Sequence, residues 1–134
     1  MREIQFRYTV KRDNGYVFYR IFSLKEIENG EVITWAKANI VDLEKAVREQ
    51  FIGLRDKNGC EIYEGDIVQT FMFGKKVVGI IKYSGKWGSF YFGTKNDYGV
   101  GIALKDVFEW CYDDEGEILS EIIGNIHENP ELLP

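Results

Sequence analysis

Apolar and polar residues alternate with a period of two over much of this chain, which is the pattern of a β-strand with one buried face. Residues 3–10 show this alternation, and residues 16–22 form a second run of strand-favouring residues. Between them, Asp13-Asn14-Gly15 supplies the residue types of a tight turn. The N-terminal part is therefore predicted to be a β-hairpin. The apolar face of its first strand comprises Ile4, Phe6, Tyr8 and Val10.

A short helix is predicted directly after the hairpin. Ser23 is followed three residues later by Glu26, which is the pattern of a capping box at the start of a helix. Gly30 is a typical stop signal, because glycine readily takes the left-handed conformation that ends many helices. Residues 24–29 are therefore expected to form one or two helical turns.

The next two segments give weaker patterns. Residues 31–39 are ambiguous, but their β-branched residues and tryptophan favour a strand. Residues 42–48 contain good helix formers, with Asp42 as a plausible N-cap and three apolar residues on one helical face. We expect a short helix at 42–48 that covers the sheet.

The stretch from Gln50 to Val68 is the most strongly patterned part of the chain. It reads as a strand, a tight turn, a second short strand, a corner and the start of a third strand. Asn58-Gly59 favours a two-residue type I′ turn, which needs positive φ at both central positions. Gly65 favours a bend with positive φ, and the side chain of Asp66 is expected to accept hydrogen bonds that close this corner.

The remainder of the chain is predicted to be β throughout. Strands are expected at 66–73, 76–83, 87–92, 102–112 and 117–126, with a glycine-rich loop at 93–101 and a short terminal turn that begins at Asn129-Pro130. Short strands at this spacing suggest a small barrel, and their order is similar to that of SH3-like barrels. The fold class is mainly β, or β-rich α+β. We predict an N-terminal hairpin and helix subdomain, 1–49, packed on a C-terminal SH3-like barrel, 50–134, as one compact unit.

Net charge, cysteine content and the length of apolar runs limit the classes of function that the chain can have. The net charge is −5 and the sequence pI is about 5.0, so bulk charge does not favour binding to a polyanion. The two cysteines, Cys60 and Cys111, are read as free thiols of an intracellular protein. The sequence shows neither a signal peptide nor an apolar run long enough to span a membrane, which predicts a cytoplasmic protein without membrane contact.

Clusters of ionisable residues are better explained by structure than by catalysis. Glu61, Glu64 and Asp66 flank strand ends and a turn, and the acidic segment 109–121 lacks the ligand spacing of a calcium loop. His127 is the only histidine, so a zinc site with several histidine ligands is excluded. A single histidine also does not make a catalytic constellation. We therefore predict no enzyme activity, no cofactor and no metal site.

One segment has a different balance of charge. Residues 67–96 contain five lysines and no acidic residue, interleaved with aromatic residues. A basic and aromatic face can hold single-stranded nucleic acid through phosphate contacts and base stacking. The alternative is that the aromatic residues fill the barrel and the lysines protect strand edges. The candidate contact residues are Lys75, Lys76, Lys82, Lys86 and Trp87.

Three blocks of sequence resemble the YopX-like family, small proteins of bacteriophages and of prophages in mostly Gram-positive bacteria. They are the opening residues 1–7, the central stretch 50–68 and the closing residues 122–133. Cys60 stands where the family usually has a lysine or a similar residue. The resemblance implies a phage origin, a β-rich fold with a barrel-like C-terminal part and expression in the host cytoplasm, and it implies no activity.

These observations together predict a non-enzymatic phage accessory protein that acts as a macromolecule-binding module. Its partner would be a host or phage protein, or a nucleic acid, possibly single-stranded. The alternative is a structural or assembly protein whose working state is a homo-oligomer, in which the acidic segment of one copy pairs with the lysines of another.

Overall fold

The computed structural model describes residues 4–72, 74–86, 88–94, 102–103 and 119–133. The fold is mainly β, as predicted, and consists of antiparallel strands with two short helices in the first third of the chain. The chain divides into two compact units, residues 1–53 and 54–134. The predicted subdomains 1–49 and 50–134, and the SH3-like barrel, remain predictions.

The described elements are β1 Gln5–Lys11, β2 Val17–Ser23, α1 Leu24–Glu28, α2 Glu31–Ala38, β3 Val47–Arg55, β4 Glu61–Tyr63, β5 Asp66–Met72, β6 Lys75–Ser84, β7 Ser89–Gly93, β8 Ile102–Ala103, β9 Glu121–Asn125 and a 3₁₀ turn Pro130–Leu132.

The predicted N-terminal hairpin is confirmed. Strands β1 and β2 pair antiparallel from Gln5 opposite Ser23 to Lys11 opposite Val17, and β3 pairs with the other edge of β1. The turn between β1 and β2 closes with a hydrogen bond from the Gly15 amide to the carbonyl oxygen of Arg12, 2.9 Å. Alternation along β1 places its apolar residues on one face, where they form the core of the first unit.

The helices α1 and α2 contribute to this core. Trp35 of α2 packs edge-to-face against Phe22 of β2, with 5.6 Å between ring centroids, and Phe22 packs in the same way against Tyr8 of β1. Such aromatic pairs add to the free energy gained from burying their apolar surface. The buried members of the cluster are Tyr8, Val10, Phe22, Val32, Trp35 and Ala36.

The capping box predicted at the start of α1 is also confirmed. The Glu26 amide donates to the Ser23 hydroxyl oxygen at 3.2 Å, and the Ser23 amide donates to a Glu26 carboxylate oxygen at 2.9 Å. The hydrogen bonds from Ser23 lower the pKa of Glu26 from its ordinary value, because they favour the charged carboxylate.

The strand favoured for residues 31–39 is wrong, since Glu31–Ala38 is the helix α2. Val32, Trp35 and Ala36 are buried, and their spacing of three and four residues places them on one helical face. A strand would have turned Trp35 and Ala36 to opposite faces. Burial of this triplet against the sheet outweighs the local strand preference of its β-branched residues.

The helix predicted at 42–48 is wrong as well. Asp42 caps a single turn, in which its side chain accepts from the Glu44 amide at 3.0 Å, and β3 begins at Val47. The chain enters the sheet here because β1 offers a free edge for backbone pairing. On the sheet, the Glu49 carboxylate meets the guanidinium of Arg7 at 3.1 Å, and both side chains are buried.

The turn between β3 and β4 is tight but is not the predicted type I′ turn. Gly59 has φ +80°, whereas Asn58 does not share the positive φ that a type I′ turn requires. The Gly59 amide donates to the Asp56 carbonyl oxygen at 3.0 Å, and the Asp56 amide donates to the Cys60 carbonyl oxygen at 2.9 Å. This pattern is a type I turn followed by a glycine bulge.

Asp56 is the residue of this turn that sequence inspection missed. Its side chain is only 4% exposed, and its carboxylate accepts from three backbone amides. Two of these amides, from Asn58 and Cys60, lie in the turn at 2.9 Å, and the third belongs to Ile122 of β9 at 3.0 Å. The Lys57 amide adds a hydrogen bond to the Ser120 carbonyl oxygen, 2.9 Å. The turn therefore anchors the last strand.

The corner at Gly65 and Asp66 is confirmed. Gly65 has φ +90°, and the Asp66 carboxylate accepts from the Tyr63 amide at 2.8 Å. The Gly65 amide donates to the Ile81 carbonyl oxygen, and the Ile126 amide donates to the Gly65 carbonyl oxygen. The corner therefore links β5 to its neighbours β6 and β9.

The strands of the second unit form an antiparallel sheet in the order β8-β7-β6-β5-β9. Strand β4 lies beside the end of β3. The strands predicted at 66–73, 76–83 and 87–92 are seen as β5, β6 and β7, and the terminal turn at Pro130 is confirmed. Of the strand predicted at 102–112, only Ile102–Ala103 is described, and most of the predicted loop 93–101 lies outside the described residues.

The substitution Asp56→Asn should lower the free energy of unfolding by about 1–3 kcal/mol. Asparagine offers one acceptor oxygen where three amides need acceptors, and its NH₂ group would face at least one N–H donor. Urea unfolding measures the change. The control Asp13→Asn makes the same charge change at an exposed turn position and should stay within about 0.5 kcal/mol of the wild type. Equal stability of the Asp56→Asn protein would contradict the role of this carboxylate.

The substitution Ser23→Ala should destabilise the protein by about 1 kcal/mol at neutral pH through the lost helix cap. It should also raise the pKa of Glu26 toward its ordinary value. Because the folded-state pKa of Glu26 is lowered, its contribution is present above the unfolded pKa and is lost as the pH falls through the folded value. NMR titration of Glu26 in both proteins measures the shift, and identical titration curves would show that the capping box has no electrostatic effect.

Candidate functional site

Lysine side chains mark the two ends of β6. Lys75 and Lys76 begin the strand, Lys82 lies near its end, and Lys86 lies in the turn that leads to β7; all four are exposed. The strand itself is central, with β5 on one side and β7 on the other. The pairing with β5 covers Lys75–Ile80 and the pairing with β7 covers Ile80–Ser84, so Lys75 and Lys76 lie beside β5 whereas Lys82 lies beside β7.

The end of β6 next to β7 combines charge with exposed aromatic surface. Lys82 is paired across the strands with Tyr91, and Tyr83 is paired with Phe90. The rings of Tyr83 and Phe90 meet edge-to-face at 5.2 Å, and Tyr83 is 51% exposed. Cross-strand partners share a face and successive residues alternate, so Lys82 with Tyr91 and Tyr83 with Phe90 occupy opposite faces of the hairpin.

The turn at this end is fixed by its backbone. The Gly88 amide donates to the Ser84 carbonyl oxygen at 2.8 Å, and Gly88 has φ +64°, a conformation that glycine adopts without strain. Lys86 lies at the tip of this turn and is exposed. We name this end of the hairpin, which carries Lys82, Tyr83, Lys86, Phe90 and Tyr91 on its two faces and turn, the β6–β7 tip.

The opposite end of β6 carries a smaller set of the same residue types. Lys76 is paired with Phe71 of β5, which is partly exposed, and Lys75 is paired with Met72. Lys76 and Lys82 lie on the same face of β6 but are six residues apart, which corresponds to about 20 Å along a strand. Between them this face carries the half-buried Val78 and the buried Ile80.

The four predicted contact residues that the structure describes therefore do not form one continuous patch. Lys82 and Lys86 belong to the β6–β7 tip, and Lys75 and Lys76 belong to the other end of the strand. Trp87 lies outside the described residues. The aromatic residues divide in the same way, since Phe92 is fully buried while Tyr83 is exposed. The segment thus supplies both a core aromatic residue and an exposed one, and its role as a contact surface stays a prediction.

Two of the remaining candidates, Asp66 and Glu61, make structural side-chain contacts. The Asp66 carboxylate is buried and closes the corner before β5, and Glu61 lies 3.6 Å from the guanidinium of Arg55. The His127 amide donates to the Asn125 side chain at the end of β9. Residues 109–118 of the acidic segment fall outside the described residues. Within the ranges that the structure describes, no three His, Cys, Asp or Glu side chains are grouped so that they could hold a metal ion.

Comparisons with known proteins assign the chain to a family. The family described as YopX protein matches residues 5–134. A solved structure, protein EF1440 from Enterococcus faecalis, is similar with 25% sequence identity and a TM-score of 0.45, and the match covers 95% of this chain and 75% of EF1440. The comparison with curated proteins finds no match. No helix among the described residues is long and apolar enough to cross a membrane.

The family match extends over nearly the whole chain, including the central stretch that first indicated the resemblance. The residues that form the structural corners, Asp56, Gly65 and Asp66, all lie inside the matched range. The family carries no established activity, so membership relates this chain to other proteins without naming a reaction. The protein belongs to the YopX family.

Proposed function

We propose that this protein is a non-enzymatic binding module that holds single-stranded nucleic acid at the β6–β7 tip. The single observation that carries the proposal is that exposed Lys82 and Lys86 and the half-exposed ring of Tyr83 are grouped at one end of the β6–β7 hairpin, with Lys82 and Tyr83 on its two faces. We further propose that it is a phage or prophage accessory protein of the host cytoplasm. The C-terminal half is proposed to be a small SH3-like barrel.

Local charge supports this ligand. The chain as a whole is acidic, with a net charge of −5, but residues 67–96 carry five lysines and no carboxylate. Exposed charges farther apart than about 8 Å are largely screened at physiological salt, so a phosphate at the tip senses mainly the neighbouring lysines. A local basic surface can therefore attract a nucleic acid strand despite the net negative charge.

The aromatic residues of the tip support a single strand over a duplex. Tyr83 is 51% exposed and is held edge-to-face by Phe90, so its free ring face is oriented before any ligand arrives. A base can stack on such a ring only when it is not already stacked inside a duplex. Stacking is tolerant of sequence, and so we expect binding with little base preference.

The chemistry of the described residues also fits a binding function better than a catalytic one. General acid and base catalysis needs ionisable groups that converge on one site. The buried carboxylates of Asp56 and Asp66 instead accept hydrogen bonds from backbone amides of turns and strand ends. A binding module needs only a rigid surface of suitable charge and shape, which the paired strands β6 and β7 supply.

Neutralising the tip should weaken the binding of single-stranded DNA. The variant Lys82→Gln/Lys86→Gln removes two phosphate contacts, so the slope of log K against log salt should become less steep by about 1.4. Fluorescence anisotropy with a labelled oligonucleotide, titrated at several salt concentrations, measures both affinity and slope. The matched control Lys75→Gln/Lys76→Gln removes the same charge from the other end of β6 and should change the slope much less. Equal effects of both variants, or no binding by the wild type, would contradict the proposal.

Removing the exposed ring should weaken binding without changing the salt slope. Tyr83→Ala is expected to cost about 1–3 kcal/mol of binding free energy, because one base loses its stacking partner. The control Tyr16→Ala removes a tyrosine that is 63% exposed in the first unit and should leave affinity unchanged. Both variants are measured by the same anisotropy titration. Unchanged affinity of a folded Tyr83→Ala protein would show that the ring is not part of the contact.

A further inference from the structure

The helix α2 ends in a Schellman motif with an unexpected residue at its key position. The Val41 amide donates to the Ala36 carbonyl oxygen at 2.8 Å, and the Ile40 amide donates to the Lys37 carbonyl oxygen at 3.4 Å. This motif requires a left-handed residue after the C-cap, which is usually glycine. Here that residue is Ile40, with φ +54°, and no other non-glycine residue of the described ranges has positive φ. A β-branched residue is strained in this conformation.

Arg12 holds this strained turn in place. One guanidinium nitrogen donates to the Ile40 carbonyl oxygen at 2.8 Å, and the other donates to the Asn39 carbonyl oxygen at 2.6 Å. The guanidinium also lies 4.9 Å from the centre of the Phe18 ring. The positive fork satisfies two carbonyl groups at the end of the helix, where the helix dipole is negative.

The side chain of Ile40 gains nothing from the core in return. It is 84% exposed, the most exposed of the large apolar residues described. A glycine at this position would remove the backbone strain, and burial of the side chain would compensate for it. Ile40 has neither advantage. Strain of this kind persists where the surrounding structure fixes it, and it is concentrated at functional positions. The turn therefore displays an isoleucine on the surface.

Ile40 lines an apolar groove. Ile33 of α2 and Leu43 of the following turn line the same groove, and both are exposed. Ala36 and Val41 line it as well. Single exposed apolar residues are common, but three that share one groove form a patch of the type found at interfaces between proteins.

The charges around the groove suggest its occupant. Lys37, Asp42 and Glu44 line it, and Lys45 follows, so the segment 37–45 carries two positive and two negative side chains that cancel. An isologous contact must be complementary to itself, and an apolar surface with both signs of charge beside it meets this condition. Asp42 is already engaged with the Glu44 amide, which leaves Lys37 and Glu44 as the pair to cross between copies.

We propose that a second copy of this chain docks on the groove around a two-fold axis, with Ile40 of each copy at the centre. The neutral segment suits this contact because the rest of an acidic chain repels its own copies. Lys37 of each copy meets Glu44 of the other at the rim. This dimer face shares no residue with the β6–β7 tip and is proposed to form without nucleic acid.

Analytical ultracentrifugation of the full chain tests this proposal through Ile40→Gly. Glycine removes both the apolar centre and the backbone strain, so dimer affinity should fall about tenfold or more while the melting temperature rises by a few degrees. The opposite directions of the two changes exclude misfolding as the cause. A second variant, Ile40→Asn, tolerates the left-handed conformation and should weaken the dimer likewise.

A charge swap tests the two-fold geometry. Lys37→Glu and Glu44→Lys should each weaken self-association, since each places like charges at the rim. An equimolar mixture of these two variants should associate more strongly than either alone, because both rim pairs of the mixed dimer join opposite charges: one pair consists of the two native residues and the other of the two substituted residues. Lys82→Gln/Lys86→Gln should dimerise like the wild type.

Three results would overturn the proposal. They are a single monomer mass for the wild type from micromolar to millimolar concentration, unchanged dimer affinity in a stabilised Ile40→Gly protein, and a mixture of the charge variants no tighter than its components.

Discussion

The second unit depends on one buried carboxylate. Asp56 accepts three backbone amides, two from its own turn and one from Ile122, which lies 66 residues later in the chain. A hydrogen bond from Lys57 to Ser120 and an ion pair between Lys57 and Glu121 at 3.0 Å reinforce the same junction. Because β9 pairs with β5, and β5 with β6, this junction fixes the edge from which the sheet is built. The carboxylate that accepts hydrogen bonds from its own turn thus also holds a distant strand.

The candidate site follows from this arrangement. Strand β6 pairs with β5 over Lys75–Ile80 and with β7 over Ile80–Ser84, so each end is held in the sheet by a neighbouring strand while its lysine side chains remain exposed. The middle of the strand is committed to the core through Ile81, which is almost fully buried. The proposed contact uses one end of the strand, where Lys82 and Tyr83 are exposed on a backbone that is already paired with β7. Preorganised contacts of this kind retain affinity that a mobile loop would lose in ordering.

The sequence predicted those features whose causes are local. The hairpin of β1 and β2, the capping box of α1 and the corner at Gly65 each depend on residues within a few positions of one another. The predictions were wrong where contacts with residues distant in the sequence determine the secondary structure. Residues 31–38 form a helix because Trp35 packs on the sheet, and residues 47–50 form a strand because β1 offers an edge. The lysines of the site were visible in the sequence, but their division between two ends of β6 needs the strand register. The sequence did not predict the special conformation of Ile40. Only the backbone dihedral angle shows that it has the positive φ that is usual for glycine.

The central claim is that this protein acts by contact through the end of one hairpin. NMR titration of the labelled full chain with a short single-stranded oligonucleotide tests it most directly, because each backbone amide reports its own surroundings. The account predicts chemical-shift changes concentrated between Lys82 and Tyr91, with smaller changes at Lys75 and Lys76 and none in β1 or β2. Changes centred on the first unit, or an unaltered spectrum at saturating oligonucleotide, would contradict it.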